Sequence, residues 1–128
     1  MRIFKTRWFA RFSKAEKITD KLLAVAIANA ERGLVDADLG GGLIKLRIAR
    51  PGAGKSGGWR TVIAYRRGQR AVFVFGFAKS DLNNITPDQL ASFKTIAAGL
   101  LTASDEIIAA ELEQHRLKEV QYGENEKD

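Results

Sequence analysis

Two neighbouring segments in the middle of the chain alternate between apolar and polar residues, and this pattern constrains the fold most strongly. In residues 43–50, LIKLRIAR, the apolar side chains occupy every second position, so Lys45 and Arg47 share the other face. Residues 58–67, GWRTVIAYRR, place Arg60 and Arg66 on one face in the same way. A period of two is that of a β-strand with one covered face, so we predict two paired strands.

A third strand follows a turn of hairpin length over residues 67–70. Residues 70–78, RAVFVFGFA, are apolar at almost every position, which predicts a central strand covered on both faces. Strict alternation would put its three aromatic residues, Phe73, Phe75 and Phe77, on one side. Near the N-terminus, residues 2–5 predict one more short strand.

Helical periodicity and capping residues occupy the two ends of the chain. Ser13 with Glu16 predicts one helix start, and Thr19 precedes a second amphipathic segment that stops at Gly33. Thr86 and Ser104 predict the starts of two C-terminal helices. The order β-α-α-β-β-β-α-α predicts an α+β fold, a small antiparallel sheet packed against helices. We divide it into a domain over residues 1–101, an additional helix over 102–120 and a disordered tail over 121–128.

Basic charge is concentrated in one part of the chain. The formal net charge is +6. Between Leu39 and Ser80 there are nine lysines and arginines and no acidic residue. Such one-sided charge favours a polyanionic partner, of which nucleic acid is the commonest, over a surface that is merely soluble and basic.

Composition excludes several kinds of site. The chain has no cysteine and one histidine, His115, so we expect no disulfide, no metal and no cofactor. Asp36 and Asp38 resemble a carboxylate pair, but without a third ligand they suit turn and capping roles better. No apolar run is long enough for a membrane span and the N-terminus has no apolar signal core, so we expect a cytoplasmic protein with no membrane partner.

The segment ARPGAGKSGGWR, residues 49–60, almost spells a nucleotide-binding P-loop. A P-loop leads from a strand into a helix whose N-terminus points N–H groups at the phosphates. Here Lys55 and Ser56 run into two glycines and then a predicted strand. The segment therefore reads as a glycine-rich loop between two basic strands.

A basic site without histidine can still cleave RNA at the ribose 2′-hydroxyl. Lysine can take a proton when neighbouring cations favour its neutral form, and arginine grips phosphate oxygens through its planar fork. Because strands hold side chains firmly, we put forward Lys45 as the base and Arg47 and Arg60 as phosphate clamps, with Lys79 as the acid or a further clamp. The plain alternative is that Lys45 and Arg47 only solvate the outer face of the sheet.

Further residues would bind RNA around this set. They are two cations of the loop, two aromatic residues that could stack bases and one arginine of the second strand: Arg50, Lys55, Trp59, Tyr65 and Arg66. For both aromatic residues a place in the core is the competing interpretation.

The paired segments IKLRIARPGAGKSGGWRT and FVFGFAKSD, residues 44–61 and 73–81, resemble the RelE-type toxins of bacterial toxin–antitoxin systems, in the HigB-like branch of the RelE/ParE superfamily. The resemblance implies a small antiparallel sheet with helices on one side, and a cognate antitoxin, an acidic or helix-turn-helix protein, as partner. It also implies an endoribonuclease that cuts messenger RNA at the ribosome and leaves a 2′,3′-cyclic phosphate.

The motif carries over residue by residue. A Lys-x-Arg before the loop matches Lys45 and Arg47, and the Gly-aromatic-Arg that opens the next strand matches Gly58 to Arg60. The basic residue after the last strand matches Lys79. The chain departs from the pattern because Ser80 and Asp81 follow, with no tyrosine shortly after, where some members have one.

Two other functions stay open at this point. Some members of the superfamily act on DNA gyrase, so the chain could be a non-catalytic inhibitor. The basic window alone also fits a simple nucleic-acid-binding module whose affinity falls steeply with salt.

Overall fold

The computed structural model describes residues 1–52, 57–78 and 85–121. Its architecture is α+β, as the alternation and capping patterns predicted. Within these residues six strands and four helices follow one another in this order: β1 (Arg2–Thr6), α1 (Arg7–Glu16), α2 (Asp20–Glu31), β2 (Ala37–Gly40), β3 (Leu43–Ile48), β4 (Trp59–Arg66), β5 (Arg70–Ala78), α3 (Pro87–Thr102), α4 (Asp105–Glu113) and β6 (Leu117–Glu119).

All six strands form one sheet in the order β2-β3-β4-β5-β1-β6. The pairs β2–β3, β3–β4, β4–β5 and β1–β6 are antiparallel, whereas β1 runs parallel to β5. The sheet is therefore mostly but not wholly antiparallel. The three central strands β3, β4 and β5 carry the segments that the sequence singled out.

Helices cover both faces of the sheet, which corrects the one-sided arrangement that the resemblance implied. On one face α1 and α2 pack on a core that includes Phe9, Leu23 and Ile63. On the other face α3 and α4 pack on a core that includes Leu43 and Val62. We call these the α1/α2 face and the α3 face.

Several helix ends form where capping residues predicted them. The side chains of Thr19, Thr86 and Ser104 accept hydrogen bonds from the N–H groups of the first turns of α2, α3 and α4. The proposed start at Ser13 is wrong. Thr6 caps α1 instead, and Ser13 lies inside that helix, where its hydroxyl donates to the carbonyl of Ala10.

A bulge in the central hairpin changes the direction of the β5 aromatic residues. The register shifts between Val62 and Ile63, which pair with Phe75 and Phe73. Phe73 therefore belongs to the core of the α1/α2 face, whereas Phe75 packs on the α3 face. The expectation that all three phenylalanines point one way is wrong because an inserted residue breaks the alternation.

Two edge strands were not predicted. The helix expected over residues 102–120 is α4, which ends at Glu113, and residues 117–119 pair with β1 as β6. The bidentate ion pair from Arg2 to Glu119, at 2.8 and 2.9 Å, fastens this edge. The predicted tail lies outside the described residues from residue 122 onward. None of the helices in the described parts of the chain is long and apolar enough to cross a membrane.

Candidate functional site

Three of the four proposed catalytic residues lie together on the α3 face. In the antiparallel pair β3–β4, Arg47 is directly opposite Arg60, and Lys45, opposite Val62, is two residues further along β3. Opposed residues, and residues two apart on a strand, project to the same face of a sheet. Lys45, Arg47 and Arg60 therefore form one cluster, which we call the cation row.

The charged groups of the cation row are not paired with acidic side chains within the described residues. No hydrogen bond or ion pair is formed there by the side chains of its three members. Some other cations are paired: Lys5 with Asp20 at 2.6 Å, Arg116 with Glu111 at 2.7 Å, and Arg70 with the carbonyls of Leu100 and Ala103 at 2.7 and 2.8 Å. Nη1 of Arg60 is even buried without a hydrogen-bond partner among the described residues.

An unpaired, buried guanidinium nitrogen costs free energy in the folded protein. An unsatisfied buried donor calls for an explanation, and a functional role is one of those known. Three cations on two adjacent strands suit a phosphodiester, whose charged oxygens can accept from both arginines at once.

Backbone contacts hold the cation row in place. The hydroxyl of Thr61 is buried between its neighbours and donates to the carbonyl of Leu46 at 2.9 Å. Asp36 brackets the same stretch, since its N–H donates to Lys45 O at 3.1 Å and its carboxylate accepts from Arg47 N at 2.5 Å. Asp36 thus has the capping role that its position predicted, and it fixes the backbone on both sides of Leu46.

Gly58 lets the two strands approach closely at the loop end of the row. A Cβ on this residue would stand 2.4 Å from the carbonyl oxygen of Ile48. No side chain fits there without a backbone shift. The glycine of the Gly-Trp-Arg motif therefore has a structural reason, two residues before Arg60.

Trp59 lies on the opposite face of the sheet from the cation row. It is 2% exposed within the core of the α1/α2 face. Its indole N–H donates to Glu16 at 2.8 Å, and the Arg50 guanidinium stands 4.8 Å from its ring centre. Arg50 also pairs with Glu16 at 3.3 Å. Because the ring is enclosed, it has no free face for a base, so we leave Trp59 out of the site. Arg50 is exposed and stays a predicted RNA-binding residue, but it lies beside Trp59 and not in the cation row.

Tyr65 also lies on the α1/α2 face, half-buried, and its hydroxyl donates to Glu31 at the end of α2. The N–H of Gly68, in the β4–β5 turn, donates to the same carboxylate at 3.0 Å. Burial and the bond to Glu31 raise the pKa of Tyr65 to about 12. The bonds from Tyr65 and Gly68 lower the pKa of Glu31. This cluster ties the central hairpin to α2.

The other proposed RNA-binding residues are spread out. Arg66 is on the α3 face but at the far end of β4, where it donates to the carbonyl of Leu101 at 3.3 Å. Lys55 and Lys79 lie outside the described residues; Lys79 directly follows the last residue of β5 in the chain. The structure thus brings together Lys45, Arg47 and Arg60 and leaves the aromatic pair on the other face.

The Tyr65–Glu31 bond makes stability depend on pH in two ranges. A raised pKa of Tyr65 means that its contribution is complete below about pH 10 and is lost as pH rises through about 12. A lowered pKa of Glu31 means that its contribution is present above its ordinary value of 4.5 and is lost as pH falls through the lower, folded-state value.

Tyr65→Phe should therefore lower the free energy of unfolding by about 1 kcal/mol near neutral pH, and by less at either extreme. Urea unfolding at pH 3, 7 and 11 measures this, with Glu31→Gln as the partner variant. A difference between Tyr65→Phe and the parent protein that does not change with pH would contradict the assignment. Activity should be unchanged, because Tyr65 lies on the face away from the cation row.

Comparison with known protein families gives a match over most of the chain. The family model described as "RelE toxin of RelE / RelB toxin-antitoxin system" matches residues 1–120, which includes every strand and helix described above. Comparison with curated protein sequences gives no significant match.

Proposed function

We infer the reaction of this chain from one premise: it belongs to the RelE toxin family, and it is therefore the toxin of a toxin–antitoxin pair with a cognate antitoxin as its partner. We propose that it is a metal-independent endoribonuclease that cuts messenger RNA. The cation row carries the proposal, because Lys45, Arg47 and Arg60 lie together on one sheet face and their side chains form no ion pair among the described residues.

In the proposed reaction Lys45 takes the proton of a ribose 2′-hydroxyl. The oxygen attacks the adjacent phosphorus, and Arg47 and Arg60 hold the charge that grows on the non-bridging oxygens. The bond from phosphorus to the 5′-oxygen then breaks, and Lys79 gives that oxygen a proton. The products are a 2′,3′-cyclic phosphate on one fragment and a 5′-hydroxyl on the other.

We further propose that the substrate is message bound at the ribosome, in the cytoplasm. A site built on strand-borne cations on a rigid face has little with which to bend an RNA chain into line for attack. A ribosome that holds the message would supply that geometry. The Lys45-x-Arg47 and Gly58-Trp59-Arg60 pattern favours the HigB-like branch, and the basic charge favours an acidic antitoxin surface.

The test is to map RNA ends after the protein is induced in cells, and to repeat the cleavage with purified protein on naked RNA and on ribosome-bound message. We expect 5′-hydroxyl ends and cyclic phosphates at discrete sites. A single 2′-deoxy substitution at a cut site should block cleavage there by at least 100-fold, because the nucleophile is missing.

Two outcomes would contradict the proposal. Fragments with 5′-phosphate ends would show a different chemistry, in which water attacks. Growth arrest with intact messages would point to another target, and loss of DNA supercoiling by gyrase in the presence of excess protein would identify it.

A further inference from the structure

Helix α3 places one lysine over the hairpin that precedes the cation row. The apolar residues Phe93, Ala97 and Leu101 of α3 pack on the core of the α3 face. Lys94, one residue after Phe93, is half-buried against the β2–β3 turn instead. A Cβ on Gly41 would stand 3.0 Å from Cγ of Lys94, and one on Gly40 would stand 3.5 Å from its ammonium nitrogen.

The turn that receives this lysine consists of three consecutive glycines. Gly40, Gly41 and Gly42 all have positive φ, at 82°, 63° and 85°. Residues with a side chain rarely adopt this conformation, and a Cβ at Gly41 would make a tight contact with the Lys94 stem. The stem of Lys94 therefore lies against the glycines of this turn.

Strand pairing relates this turn to Lys45. Gly40 is paired with Leu43, and Lys45 is two residues further along β3 on the same face, about 6.6 Å away along the strand. The residue of β2 opposite Lys45 is Ala37, and Leu39, between Ala37 and Gly40, packs on the core of the same face. Asp38, the nearest acid of β2, is paired with Ile44 and so projects to the other face.

Lys94 forms no hydrogen bond or ion pair within residues 1–52, 57–78 and 85–121. Its stem is held by the glycine turn while its ammonium group stays unpaired, as in the cation row. If Lys94 only covered the turn, its charge would not stabilise the fold, because the ammonium group lies on the same face as other cations and like charges repel.

We propose that Lys94 binds the phosphate of a nucleotide next to the cleaved bond, so that the glycine turn and Lys94 form a second phosphodiester subsite for single-stranded RNA. This inference rests on the proposed RNA-cleaving function. Lys94 is then a substrate-binding residue that does not touch the reacting atoms. The sequence patterns missed it because Lys94 lies on a helix and outside the segment without acidic residues, 39–80.

The test compares Lys94→Met with Lys21→Met, a matched variant of an exposed lysine on α2, across the sheet. Methionine keeps an apolar stem on the turn and removes the charge. Cleavage is measured as kcat and KM on whichever substrate the parent protein cuts, naked RNA or ribosome-bound message. For Lys94→Met we expect KM to rise about 3- to 10-fold with kcat within about twofold, as the loss of uniform binding requires. Lys94→Arg should restore most of the affinity.

Salt dependence gives a second readout that a structural role would not move. One phosphate contact fewer changes the salt exponent of binding to a single strand by about 0.7, so the defect of Lys94→Met should shrink about 2.6-fold between 50 and 200 mM salt. If the parent protein cuts naked RNA, this change is measured as the affinity for an uncleavable RNA oligonucleotide with 2′-deoxy riboses. If it cuts only ribosome-bound message, the change is measured as KM at the two salt concentrations.

The outcomes separate the two proposals. If Lys94→Met behaves like Lys21→Met while variants of the cation row are inactive, the second subsite is wrong and the proposed function stands. If Lys94→Met lowers kcat without changing KM, Lys94 is not a remote binding residue. If the parent protein cuts neither substrate, the proposed function fails, and this inference fails with it.

Discussion

Replacing Arg60 with methionine should abolish RNA cleavage and growth inhibition while the variant remains folded. Arg60 stands opposite Arg47 on the α3 face, and its buried Nη1 has no acceptor among the described residues. If a phosphodiester supplies that acceptor, the loss of one charged donor at the reacting phosphate should lower kcat by about 10²–10³. The rate of cleavage and the growth of cells after induction measure the effect.

The stability of Arg60→Met should rise although its activity falls. Because the buried nitrogen has no acceptor among the described residues, its removal relieves a cost, and methionine keeps the apolar stem. We expect the melting temperature of Arg60→Met to rise by about 2–5 °C. The control is Arg11→Met, an exposed arginine on α1 with no partner among the described residues, which should change neither property. A fully toxic Arg60→Met would remove Arg60 from the site, and a destabilised one would show that its charge is paired in the fold.

Local patterns predicted those parts of the fold that depend on neighbours in the chain. The alternation in β3 and β4 is real, and the caps at Thr19, Thr86 and Ser104 form because each hydroxyl satisfies N–H groups of its own helix. The same alternation placed Lys45, Arg47 and Arg60 on one face. Register between adjacent strands was enough to bring these three cations together.

What could not be predicted depends on tertiary contacts. β6 has three residues with no pattern of their own, and it is a strand only because β1 offers it a free edge. The bulge opposite Val62 and Ile63 leaves no mark in a segment that is apolar throughout, yet it sends Phe73 and Phe75 to opposite faces. Lys94 becomes part of the basic surface only through the packing of α3 on the glycine turn.

Trp59 shows where a composition argument misleads. An aromatic residue next to an arginine in a basic segment suggests a platform for RNA bases, but alternation puts neighbours on opposite faces of a strand. Arg60 on the α3 face therefore implies that Trp59 faces α1, where Glu16 accepts its indole hydrogen. The alternation that located the cation row also assigns Trp59 to the core.

Trp59→Ala should consequently unfold the protein or leave it barely stable. Truncation of a tryptophan that is 2% exposed leaves a large cavity, and such changes cost about 3–5 kcal/mol out of a total of about 5–15 kcal/mol. The variant also leaves Glu16 without its indole donor, and Arg50 without the ring that it covers. Urea unfolding, or the soluble yield where the variant does not fold, measures this loss.

The informative variant is Trp59→Phe, which keeps most of the buried ring and removes the indole N–H. It should lose about 1–2 kcal/mol of stability because the Glu16 carboxylate loses a donor. Its cleavage rate should equal that of the parent protein at a temperature where both are folded. Trp8→Phe is the matched control, since Trp8 is 46% exposed and should tolerate the change. A base-stacking role for Trp59 requires the reverse, a stable Trp59→Phe with weakened RNA binding, and that result would place the RNA on the α1/α2 face of the sheet.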